Sequence, residues 1–96
     1  MNSKIKTEAV DHLFDAMLTL RTKEDFYKFF EDVCTIKELH AMAQRYEVAL
    51  LLNQKLTYLD IAEKTGASTA TISRVNRSLE YGADGYNLAF RNLGLK

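Results

Sequence analysis

Residues 57–81 read TYLDIAEKTGASTATISRVNRSLEY, and their pattern decides the fold. Thr57 has the hydroxyl of a helix N-cap, and Asp60 follows three residues later, where a carboxylate reaches back to the cap's own N–H. Leu59, Ile61 and Ala62 form the apolar side of the helix that begins there. Gly66 ends it, because glycine enters the left-handed region without a Cβ penalty. Ser68 caps a second helix, Thr69 to Tyr81, whose buried stripe is Ile72, Val75 and Leu79.

The outer face of the second helix carries Thr69, Ala70, Ser73, Arg74, Asn76 and Arg77, with small residues in its first turn. A helix that enters the DNA major groove needs that shape: a slim leading end near the bases, with hydroxyls and guanidinium groups around it. The bland alternative is a helical hairpin with a polar outer face.

Around this stretch the chain is one small domain of 96 residues, with 47% apolar residues, no proline and four glycines. Such a composition is rich in helix, and a chain of this size buries only a modest core by itself. Formal charge balances at 13 basic and 13 acidic residues, whereas nucleic-acid partners are usually basic. The acids crowd into the first half, however, and Arg74 and Arg77 give the second helix a local basic face.

Before residue 57 the periodicity predicts three helices. Residues 1–6 are polar and expected to be mobile. Thr7 caps a helix over 8–20 with a stripe of Val10, Leu13, Phe14, Met17 and Leu18. Thr22 and Asp25 form a capping box for a helix over 23–33 that carries Phe26, Phe29, Phe30 and Val33. That is more aromatic surface than a small monomer covers, so it reads as core shared with a second chain. Thr35 and Glu38 form another capping box, opening a helix over 36–53 with an inner stripe of Ile36, Leu39, Met42, Ala43, Tyr46 and Leu50. Leu56 is a hydrophobic staple before the Thr57 cap. After Tyr81, the turn Gly82-Ala83-Asp84-Gly85 leads to a last helix over 85–93, with Asp84 as its cap.

Several kinds of chemistry find no support. His12 and His40 have no metal-ligand spacing, and Cys34 has no cysteine to pair with and no evident base. No glycine-rich phosphate loop or nucleophile elbow is present, so neither metal nor catalysis is expected. The opening MNSKIKTE lacks the apolar region of a signal peptide, and no run long enough to span a membrane occurs. A cytoplasmic, non-enzymatic, all-α protein is the expectation.

The order of helices, and above all GASTATISRVNRSL from Gly66 to Leu79, resembles the Trp repressor family, in its YerC/YecD branch. The resemblance runs from about Thr7 onward, with a second patch from Thr35-Ile36-Lys37-Glu38 through Gln44-Arg45 to Leu51-Leu52. It implies about six helices in an intertwined homodimer with a helix-turn-helix over 57–81, all within one domain, 1–96. It also implies a double-stranded DNA partner and a pseudo-palindromic operator. Thr69, Ala70 and Ser73 are then candidates near the bases, and Thr57, Tyr58, Arg74 and Arg77 candidates for the phosphates. The Trp repressor is itself the standard example of water-mediated base contacts.

In that family free tryptophan wedges beside the recognition helix. By position Thr71, Arg74 and Ser78 match the pocket, with Arg74 facing the amino-acid carboxylate. Arg45 matches the arginine that stacks on the indole, although a gapless alignment puts Gln44 there. Val75 stands where the repressor has glycine, and a β-branched side chain narrows or fills that space. L-Tryptophan, another small effector, or none therefore remain open. The sequence supports a DNA-binding transcriptional regulator, a repressor by resemblance, with a protein-interaction module on the same dimeric fold as the alternative.

Overall fold

A computed structural model of the chain describes residues 3–96. Six α-helices and no strand are found among the described residues: α1 (Glu8–Met17), α2 (Lys23–Val33), α3 (Ile36–Asn53), α4 (Tyr58–Thr65), α5 (Thr69–Tyr81) and α6 (Gly85–Asn92). Of the segment expected to be mobile, residues 1–2 lie outside the described residues, and Ser3–Ile5 form one 3-10 turn.

The helix starts follow from short polar side chains. Thr7, Thr22, Thr57 and Ser68 each accept a backbone N–H three residues on, at 3.1, 3.1, 3.2 and 3.1 Å. Thr35 and Glu38 complete a reciprocal box: the Glu38 N–H donates to Thr35 Oγ1 at 3.0 Å, and the Thr35 N–H donates to Glu38 Oε1 at 2.9 Å. The Thr22 box is displaced by one residue, because Asp25 Oδ2 accepts the N–H of Arg21. Asp84 does not cap α6 with its side chain. It sits in the left-handed region at φ 68, and its carboxylate is taken by Arg91 at 2.7 Å.

α1 is shorter than expected and ends at Met17 rather than Leu20. Its exit tightens into three-residue hydrogen bonds, Thr19 N–H to Ala16 O and Leu20 N–H to Met17 O, and the Thr19 hydroxyl also donates to Ala16 O at 2.6 Å. Those bonds satisfy carbonyls that a continuing helix would have used.

Close backbone contacts group the chain into two compact units, one ending at Leu39 and one spanning His40–Lys96. Among its described residues the first unit has no buried side chain. Phe26 and Phe30 stack with centroids 6.3 Å apart, and Phe29 meets Phe30 edge-on at 5.5 Å. Leu18 and Ile36 nonetheless remain 83% and 77% exposed.

The second unit holds the core: Val48, Ala49, Ile61, Ala67, Ile72, Val75 and Phe90. Tyr46, Leu50, Leu56, Leu79 and Tyr86 pack against it, and the Tyr46 ring lies 5.8 Å from Phe90 and 6.4 Å from Tyr86. This corrects two expectations. The side of α3 that turns inward centres on Val48 and Ala49, while Met42, of the expected stripe, is exposed. Leu59 of α4 points outward, 79% exposed, because Ile61 alone of that helix is fully buried. α6 buries Asn87 and Phe90, while Leu88 and, just past its end, Leu93 are exposed.

Candidate nucleic-acid interface

The turn between α4 and α5 is closed by local bonds. Gly66 takes φ 73, and its N–H donates to Ala62 O at 2.9 Å. The Thr65 hydroxyl donates to Ile61 O at 2.7 Å and accepts the Ala67 N–H at 3.1 Å. Ala67 enters the core, and Ser68 starts α5. From α3 the Gln44 side-chain amide donates to Thr65 O at 3.1 Å, so the end of α4 is tied to the long helix as well as to α5.

α5 then lies with Ile72 and Val75 in the core and its other side in solvent. All seven candidate DNA residues are exposed: Thr57 and Tyr58 at the start of α4, and Thr69, Ala70, Ser73, Arg74 and Arg77 on α5. Ion pairs among the described residues join His12 to Glu8, Lys28 to Glu24 and Arg91 to Asp84. Arg74 and Arg77 therefore have no carboxylate partner among those residues. Two guanidinium groups on one face beside small hydroxylated residues can grip an anionic backbone while the slim leading end approaches bases.

The five candidate effector residues have different surroundings. Val75 is 2% exposed and packs in the core. Thr71 is half-buried and its hydroxyl accepts a bond from Ser68 at 3.1 Å. Arg74 is exposed. Arg45 is half-buried on α3, one turn before Val48 and Ala49. Ser78 lines a hollow of about 320 Å³ with Gly82, Ala83, Gly85 and Tyr86. A second hollow, of about 430 Å³, lies beside Gln44, His40, Glu47 and Lys64. Arg45, Thr71, Arg74 and Val75 line neither.

Electrostatic perturbation lies away from this face. The Arg91 guanidinium, helped by Asn87, holds the Asp84 carboxyl below its ordinary value. Backbone N–H groups of Arg21 and Thr35 do the same for Asp25 and Glu38. No group of three His, Cys, Asp or Glu able to hold a metal occurs among the described residues. No helix among them is long and apolar enough to cross a membrane.

Two tertiary roles escaped the sequence reading. Gln44 ties α3 to α4, and Asn87 is the buried polar residue of the described chain. For Asn87 the available signal was its place three residues before Phe90, on the same side of α6.

Residues 8–94 match the family described as Trp repressor protein. The protein YerC of Bacillus subtilis, itself uncharacterised, is 50% identical over 86 residues, covering 90% of this chain and 83% of that protein. A Trp operon repressor homologue of Chlamydia caviae is 37% identical over 62 residues, 64% of this chain and 61% of the homologue. A solved TrpR-like protein from Eubacterium eligens superposes with a TM-score of 0.93 at 62% identity, covering 98% of this chain and 97% of its own. A candidate Trp repressor from Staphylococcus aureus also gives 0.93, at 44% identity over 100% of this chain and 97% of its own.

Proposed function

The chain belongs to the Trp repressor family, and from that premise we propose that it is a DNA-binding transcriptional regulator, a repressor acting as a homodimer. The observation that carries the reading is the solvent face of α5. Thr69, Ala70, Ser73, Arg74 and Arg77 are all exposed there, while Ile72 and Val75 fix the opposite face in a core. In this reading Thr69, Ala70 and Ser73 approach the bases, and Thr57, Tyr58, Arg74 and Arg77 hold the phosphates. The protein does this without catalysis, as one domain, in the cytoplasm.

The homodimer is supported by the first unit, whose apolar residues have no buried place within it. α2 and the start of α3 leave a groove of about 300 Å³ lined by Lys23, Phe26, Tyr27, Phe30 and Leu39. A second copy with the same faces is the economical cover, and a two-fold dimer presents two α5 helices to half-sites about one helical turn apart. An effector acting through Arg45, Thr71, Arg74 and Ser78 must fit beside a Val75 that already packs in the core.

The test is a selection of random or genomic duplex fragments on the purified protein, with and without L-tryptophan. A recovered palindrome supports the regulator. Dependence on tryptophan supports the effector role, and a motif without that dependence removes it. If neither condition enriches DNA, the balanced charge favours the second reading, a protein-interaction module on the same fold.

A further inference from the structure

The C-terminal end of α5 is poorly provided for by its own sequence. A helix end carries partial negative charge and four carbonyls without intrahelical partners. The last turn of α5 has no basic residue and includes Glu80. Ser78 O receives the Gly82 N–H at 2.9 Å, and Leu79 O receives a bond from outside the helix: the Asn87 side-chain N–H of α6, at 3.4 Å.

Asn87 is 9% exposed, and both ends of its amide are used. Its Oδ1 accepts from the Lys96 ammonium at 2.7 Å. A charged donor on the oxygen polarises the amide and strengthens the N–H on its other side. The segment bearing Lys96 is itself anchored, since the Asn53 amide donates to Leu95 O at 3.2 Å. The positive charge that α5 lacks in its last turn is thus delivered through one buried amide.

We propose that Asn87 and Lys96 are positioning residues for DNA reading: the relay Lys96 ammonium–Asn87 amide–Leu79 carbonyl fixes the C-terminal end of α5, and so the angle at which the exposed face of α5 meets a duplex. This rests on the regulator reading above. Neither residue touches DNA in this arrangement; each acts through α5.

The experiment uses the full chain, a duplex recovered by the selection, and backbone hydrogen exchange, all well below each variant's melting midpoint. Asn87→Ala weakens duplex binding of the folded protein by about 3- to 10-fold, the scale of one lost hydrogen bond. It also speeds exchange at the Tyr81 and Gly82 amides. Asn87→Asp keeps an oxygen for Lys96 but has no N–H for Leu79 O and sets a second carboxylate beside Asp84, so it binds at least as weakly as the alanine variant. Lys96→Ala has a smaller effect that vanishes in the Asn87→Ala background, and Lys96→Arg restores binding. Should Asn87→Ala fail to fold, the Lys96 pair decides alone. Folded variants that bind the duplex as tightly as the parent overturn the proposal, whatever their melting temperatures. If the parent enriches no duplex, the protein-interaction reading is favoured over the regulator. Exchange then still judges the relay, and unchanged rates at Tyr81 and Gly82 overturn it.

Discussion

Arg74 and Arg77 stand nearly one turn apart on the solvent side of α5, and no carboxylate among the described residues pairs with either. A phosphate contact made by such a residue releases a counterion, so it is visible in salt dependence as well as in affinity. Arg77→Ala is expected to lower DNA affinity on every sequence and to reduce the slope of log K against log salt by about 1, with melting unchanged. An unaltered slope removes its phosphate role. Gly82 illustrates a different constraint. A Cβ at that position would collide with the backbone carbonyl of Ser78, which cannot swing away as a side-chain tip can. Gly82→Ala should cost about 1–3 kcal/mol, measured by denaturant unfolding. Val75→Gly removes a buried side chain from a helix interior, losing both packing and helix propensity, and should cost roughly 2–4 kcal/mol.

At the scale of the element, the caps were legible in the sequence because they are local. A hydroxyl and the N–H three residues on need no knowledge of the rest of the fold, and Thr7, Thr22, Thr57 and Ser68 all accept the bond their position implies. Which side of a helix turns inward was less legible. α3 is apolar almost all round near its end, so periodicity could not choose among its sides, and Val48 and Ala49 are selected by the elements packed against them. α4 has only eight residues, too few for its apolar positions to separate Ile61 from Leu59. Asp84 failed as a cap because Arg91, seven residues on, binds its carboxylate, a partner that the cap rule does not consider. The candidate DNA face was readable for the same local reason as the caps, whereas Gln44 and Asn87 act across 21 and 8 residues of chain.

Three carboxylates at or near helix starts also carry a pH dependence. Asp25, Glu38 and Asp84 have folded pKa values held below their ordinary ones, first by the Arg21 N–H, the Thr35 N–H and the Arg91 guanidinium respectively. Their contribution is therefore complete above the unfolded pKa and is lost as pH falls through the folded one. Stability from this source should be flat near neutrality and decline below about pH 4. Glu38→Gln keeps an acceptor for Thr35 while removing the titration, so the acid limb of its unfolding curve should be shallower. An unchanged limb would show that the Glu38 box contributes nothing there.

For the whole molecule the question is where the apolar surface of the first unit goes. Leu18, Tyr27, Val33 and Ile36 are each more than half exposed. Ile36→Glu is the cleanest probe, because an acidic residue at the start of α3 suits the helix dipole while abolishing an apolar contact. If Ile36 lies in the interface of the proposed dimer, losing burial worth about 1.5–3 kcal/mol raises its dissociation constant at least roughly tenfold. Sedimentation at graded concentrations measures this. A variant that remains as dimeric as the parent places the interface elsewhere. Phe29→Ser is harsher and should dissociate the proposed dimer or unfold the chain; a stable, well-folded product would contradict the assignment of Phe29 to shared core.

The closed turn between α4 and α5 has a thermodynamic consequence. The Gly66, Ala67 and Thr71 amides already hold their acceptors, and Ala67 is buried. A reading unit that is ordered before it docks gives up little conformational entropy on docking. The heat-capacity change of duplex binding should then match the surface the two molecules dehydrate, with no excess from coupled folding. Calorimetry at several temperatures would expose any such excess at once.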